Sequence, residues 1–184
     1  MAGHALNNTA QLDLIELDKG APGMTPECGA GLRHCAAICL ESHAHNSPVQ
    51  LFVDGEFSRL IDLHWTKVTD QERRTWADME QAIECGACGV AILLVKQLTG
   101  LTVIEKAKKR NGGHDYWLGQ EDDPLFQRKD RLEVTGILNG TEDEINARVR
   151  KKLTQVKSIP WMKACIIIVT EFSRPASRFI RKEG

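Results

Sequence analysis

The run from Ala164 to Val169, Ala-Cys-Ile-Ile-Ile-Val, is apolar at every position. Successive side chains of a strand point to opposite faces of a sheet, so such a run must be buried on both sides. A strand of this kind sits in the middle of a sheet covered by helices, and the rest of the chain has to supply them. Two stretches qualify. Thr69-Asp70-Gln71-Glu72 sets a capping hydroxyl three residues ahead of a Glu. Beyond it Trp76, Met79, Ile83, Ala87, Val90, Leu94 and Leu98 recur at threes and fours until Gly100, which predicts one helix of about seven turns. Thr141 and Glu144 repeat the capping pattern, and Ile145, Val149, Leu153 and Val156 draw a second apolar stripe.

Between these helices lie three short segments rich in β-branched or aromatic residues, 101–106, 113–119 and 131–138, each read as a strand. The expected architecture is α/β in the α+β sense, a mixed central sheet flanked by helices. The order αβββαβ runs over 71–172, within a single domain of 184 residues. Residues 1–33, rich in Asn, Gly, Pro and Ala, are read as an N-terminal arm whose Leu12–Leu17 segment offers one edge strand. Residues 34–66 alternate well enough to be an antiparallel β-meander, with Asp54-Gly55 as its hairpin turn. Residues 173–184, with Arg174, Arg178, Arg181 and Lys182, are read as a solvated basic tail.

The net charge of -1 gives no global attraction to phosphate or anionic lipid, so a nucleic-acid contact would have to come from local basic patches. The apolar run Val90–Val95, like Ala164–Val169, is too short to span a membrane, and no membrane partner is expected. Six irregularly spaced cysteines without a leader-like start are expected to be reduced thiols in the cytoplasm.

Gly113-His114-Asp115 and Leu132-Glu133-Val134-Thr135 carry the functional reading. In the αβββαβ order they resemble, respectively, the glycine-x-aspartate and the hydrophobic-Glu-x-Lys strands of the PD-(D/E)XK (restriction-endonuclease-like) nuclease superfamily. The resemblance covers about 100 residues and departs from the pattern at Thr135, where the superfamily has a lysine that orients or activates water. It implies a hydrolase, a nuclease using Mg²⁺ on DNA or RNA. Asp115 and Glu133 would hold the cation, and Thr135 would stand beside them at the catalytic centre. Lys106, Lys108 or Lys109 could replace the missing charge, with Lys108 taken as the catalytic candidate. The chemistry itself asks for such a pair: a hard cation accepts one or two carboxylates and keeps waters, and it acidifies a water for attack on phosphorus.

Many members add a carboxylate from the first helix. Glu80 falls within the apolar stripe, about 40° from Trp76, and Glu84 lies one turn on, so both join the metal candidates. Their alternative role is to pair with Arg73 and Lys108. The cluster Lys106, Lys108, Lys109 and Arg110 would suit a phosphate backbone, and equally a solvated strand end. His114 could carry a proton or simply occupy a turn; Tyr116 and Trp117 are expected to pack the sheet. Cys85-Gly86-Ala87-Cys88 has redox spacing but lies inside a helix, and no second pair is near it in sequence. Cys28, His34, Cys35, Cys39, His43 and His45 are zinc-compatible types at spacings that match no standard knuckle. Two other readings stay open: a catalytically inactive nuclease-fold module for binding or assembly, and an unrelated α/β domain that binds a ligand or dimerises. A homodimer joined through the 34–66 meander is a further expectation.

Overall fold

The computed structural model describes residues 10–108, 114–156 and 164–183. It holds one mixed sheet of eight strands in the order β1-β3-β2-β8-β7-β6-β5-β4. The strands are β1 (Ala10–Asp13), β2 (Val49–Gly55), β3 (Arg59–His64), β4 (Thr102–Lys106), β5 (Tyr116–Gly119), β6 (Asp130–Ile137), β7 (Ala164–Glu171) and β8 (Ala176–Glu183). The helices are α1 (Pro26–Ser42), α2 (Asp70–Thr75), α3 (Met79–Thr99) and α4 (Glu142–Gln155), with a 3-10 helix over Leu14–Lys19.

The apolar run behaves as its composition requires. β7 is buried along its whole length, between β6 in parallel and β8 in antiparallel. Ile166 and Ile168 join the core shared with α1 and α3, whereas Cys165, Ile167 and Val169 pack with Ile145, Val149 and Val156 from the α4 side. Thus α1 and α3 cover one face and α4 the other. The expected αβββαβ order is present as α3, β4, β5, β6, α4 and β7.

Several local expectations are corrected. The segment taken as the start of the meander is the second half of α1. Thr25 caps it through the Cys28 amide, Pro26 opens it, and Leu32, Cys35, Ala36, Cys39 and Leu40 form its buried face. Small residues at helical spacing disguised it. They are needed because α1 and α3 nearly touch: a Cβ at Gly86 would lie 2.8 Å from the Ala36 nitrogen. The remaining meander is the hairpin β2–β3, in which Val53 pairs with Arg59, so the loop is longer than a two-residue turn. Gly55 at φ 100 instead abuts β8, where Glu56 N–H donates to the Phe179 carbonyl at 2.8 Å. Neither strand of the hairpin is a sheet edge, since β1 flanks β3 and β8 flanks β2.

Residues 10–33 are likewise no arm: Leu12, Leu14, Leu17, Met24 and Leu32 are all core. The helix expected from Thr69 to Gly100 is broken. α2 keeps its Thr69/Glu72 capping box, but Asp78 starts α3 afresh by accepting from Glu80 and Gln81 N–H. Trp76, in the break, packs towards α1 at Gly31. α3 ends as expected at Gly100, in the left-handed conformation with φ 73. Among the described residues α3 is the helix long and apolar enough to cross a membrane, yet 56% of its most apolar window is buried inside the domain.

The tail is the last correction. β8 links β2 to β7, and its alternation buries Ser177 and Phe179. Phe179 is fully buried and meets Phe57 edge-on at 5.1 Å. Phe179→Ala is therefore expected to cost about 3–5 kcal/mol in urea unfolding, as for an aromatic in a core. A solvated tail would give a change within about 0.5 kcal/mol.

Candidate active site

β5 is short and β6 is long. Their register runs from Leu118 opposite Asp130 to Tyr116 opposite Leu132, which sets Asp115 across from Glu133 as the next step. Asp115 is fixed there by three hydrogen bonds. Its N–H donates to the Leu132 carbonyl at 2.8 Å, and its own carbonyl accepts from Ala107 N–H at 2.8 Å. Its carboxylate Oδ2 accepts from Val134 N–H at 2.8 Å. Beyond this point β6 continues to Ile137 with no strand on its β5 side among the described residues, and a notch opens in the sheet.

A cavity of about 650 Å³ occupies the notch, lined from both helical layers as well as from the sheet. Leu132 and Val134 point into the core of the α1–α3 layer. By the period of two, Glu133 and Thr135 point the other way, towards α4. Both line the cavity, as does Asp115. The carboxyl groups of Asp115 and Glu133 face each other closely enough for Asp115 to oppose the ionisation of Glu133. Glu133 is only 5% exposed, and burial first, then the facing Asp115, lift its carboxyl to about 7. Lys152 opposes that rise.

Lys152, on α4, forms an ion pair with Glu133 Oε1. The ammonium beside Glu133 thus comes from α4 and not from the expected Lys106, Lys108 or Lys109. The signal was present in the sequence: at 100° per residue Lys152 falls about 20° from Ile145, inside the apolar stripe of α4. A cation on a buried face needs a partner, as an anion does. Arg148, one turn earlier, also lines the cavity.

The other candidates divide. Glu84 and Lys106 line the cavity; Glu80 and Lys108 are exposed and do not. Glu80 sits in the first turn of α3, next to the break, and therefore escapes the burial that an unbroken stripe would have imposed. Lys109, Arg110 and Gly113 lie outside the described residues. His114 is buried and edge-on to Trp117 at 4.2 Å. Burial, then Arg131 and Arg128, push its pKa down to about 4, so the ring is neutral at physiological pH. Tyr116 and Trp117 are buried, in line with a packing role.

The cysteine pairs, far apart in the chain, meet in space. Cys35 of α1 lies near Cys85 of α3, and each thiol perturbs the ionisation of the other. That interaction, helped by Lys106, lowers Cys85 to about 7, while Cys35 is pushed up. Burial lifts Cys39 and Cys88 to about 12. The Tyr116 hydroxyl lies beside the Cys88 sulfur. Cys28, Cys85 and Cys88 line the same cavity as the acidic pair. Among the described residues no three Cys, His, Asp or Glu side chains are grouped to hold a metal ion. No protein-family model, curated protein or solved structure matches the chain.

The raised carboxyl has a measurable consequence. Glu133 ionises more readily in the unfolded chain than in the fold, so its ionisation weakens the fold as pH rises from its ordinary 4.5 to about 7, and no further above that. The groups facing it are Asp115 from the start of β5 and Lys152 from α4. Urea unfolding between about pH 4.5 and pH 8 should show the wild type losing stability with rising pH more steeply than Glu133→Gln. Parallel profiles for the two would show that Glu133 is not held above its ordinary range.

Proposed function

We propose that this cavity hydrolyses phosphodiester bonds in nucleic acid, with Asp115 and Glu133 as the ligands of a divalent cation such as Mg²⁺. The observation that carries the reading is the facing pair of carboxyls in a notch of the sheet with an ammonium beside them. Two carboxylates suit Mg²⁺, which completes its shell with water and substrate oxygens. The bound cation would lower the pKa of a water and offset charge on the phosphate. This chain's own residues supply the rest. Val134 N–H holds the Asp115 carboxylate in position. Lys152 keeps a positive charge next to Glu133, where the superfamily's motif lysine would stand and where the Thr135 hydroxyl cannot supply one. Lys106 and Arg148 add positive charge to the wall along which a phosphate backbone would lie. Six free thiols suit a cytoplasmic location.

One observation favours a second reading, an inactive nuclease-fold module for binding or assembly. Lys152 engages the Glu133 oxygen directly, and an ion pair of this kind can replace a cation rather than assist it.

Incubation with linear, supercoiled and single-stranded DNA and with RNA, in Mg²⁺ or Mn²⁺, separates the two. Cleavage that needs the metal, abolished in Glu133→Ala and reduced about a hundredfold or more in Lys152→Ala, is the expected result. Binding without cleavage would select the second reading.

A further inference from the structure

We propose that Cys35 and Cys85 are a peroxide-sensitive dithiol, converted reversibly to a disulfide that staples α1 to α3 in the wall of the cavity. The pairing runs between helices rather than within the Cys85–Cys88 motif. Three features of the packing dictate this.

The first is the approach of the backbones. Gly86 follows Cys85 and Ala36 follows Cys35, and a Cβ at Gly86 would lie 2.8 Å from the Ala36 nitrogen, 2.9 Å from its Cα and 3.0 Å from the carbonyl carbon of Cys35. The cysteines preceding Gly86 and Ala36 therefore flank the closest approach of the two helices, where the proposal requires the Cα separation of about 4.4–6.8 Å that a disulfide spans. The two thiols are near enough for each to perturb the ionisation of the other. The second is access. Cys85 is half-buried and lines the cavity, whereas Cys35 is fully buried behind it. An oxidant entering the cavity reaches Cys85 first, with Cys35 positioned to resolve the product. The third is the state of the competitor. Cys88 is only three residues from Cys85, but burial holds its thiol above the ordinary range, and its sulfur lies beside the Tyr116 hydroxyl.

The chemistry balances with a hydroperoxide as the oxidant. The Cys85 sulfur attacks hydrogen peroxide, an S–O bond forms as the O–O bond breaks, and the departing hydroxide takes the thiol proton to leave as water. The Cys35 sulfur then attacks the Cys85 sulfenic acid, the S–S bond forms, and the S–O bond breaks with release of a second water. Two thiols and one peroxide become one disulfide and two waters. A thiol or dithiol reductant reverses the bond by exchange.

The cross-link itself does not rest on the nuclease reading; only its effect on cleavage would. The test therefore reads the bond directly. The full chain is treated with stoichiometric hydrogen peroxide, alkylated, digested without reductant and analysed by mass spectrometry. A peptide joining Cys35 to Cys85 is expected, with loss of two hydrogens from the intact mass and recovery of both thiols after dithiothreitol. Cys88→Ser should keep the cross-link and Cys85→Ser should lose it, with circular dichroism confirming that both are folded. A Cys85–Cys88 bond overturns the proposal, and so does Cys85 ending as sulfinic acid while Cys35 stays reduced. Oxidation confined to the exposed Cys28 overturns it as well. Because the readout is a covalent bond, absence of nuclease activity leaves the result fully interpretable.

Discussion

Burial of β7 on both faces is the constraint from which the rest of this fold follows. Removing an aliphatic side chain of that size from water stabilises a fold by about 1.5–3 kcal/mol. Ile166, Ile167 and Ile168 collect that gain only when both faces of the sheet are covered. One cover is α1 with α3, the other is α4, and the chain must cross the sheet between β6 and β7 to place α4 there. That crossing carries Lys152 to the α4-facing side of β6. The same arrangement presses α1 onto α3 and brings Cys35 to Cys85. The acidic pair with its lysine and the thiol pair are thus two products of a single packing requirement.

The cavity owes its existence to unequal strands. β5 stops pairing with β6 at Tyr116, so the main chain of β6 from Val134 onward faces a gap. An amide left there without a partner would be costly, and Val134 N–H is satisfied by the side chain of Asp115. The interaction that repairs the end of the ladder is also the one that aims a carboxylate at Glu133. Structure and site share one hydrogen bond, so the acidic residue cannot be moved without reopening the edge of the sheet.

Elements decided by local physics were legible in the sequence, and those decided by distant partners were not. The Thr141/Glu144 capping box and the stripe of α4, the cap at Gly100, and the strands β4, β6 and β7 all depend on neighbours a few residues away. The first half of the chain and the tail are different. α1 presents glycines, alanines and cysteines where a helix usually shows large apolar residues, because its neighbour α3 lies too close for larger ones. β8 reads as a basic tail because only Ser177 and Phe179 of it are fully buried, and the value of Phe179 appears once β2 and β7 stand on either side of it. In the site, the adjacency of Asp115 and Glu133 was readable from the strand order. Lys152 escaped notice although its stripe position marked it. The pattern of residues 34–43 reads as a strand and that of α3 as a helix, so nothing in the sequence brings Cys35 to Cys85.

The charges around Glu133 bear on why the site exists at all. A carboxyl 5% exposed, opposite another carboxylate, is held with its ionisation opposed by its surroundings. Lys152 offsets this only in part, since burial and Asp115 together still leave Glu133 raised to about 7. Replacing a buried ion pair by well-packed apolar residues is often neutral or stabilising. Folding stability alone therefore gives this arrangement little reason to persist, whereas a cation placed between the two carboxylates would relieve the repulsion that the fold tolerates. If the proposed cation binds there, linkage makes the relief reciprocal, since whatever opposes ionisation of the pair would favour the ion, and Val134 N–H holds the Asp115 carboxylate in its place beside Glu133.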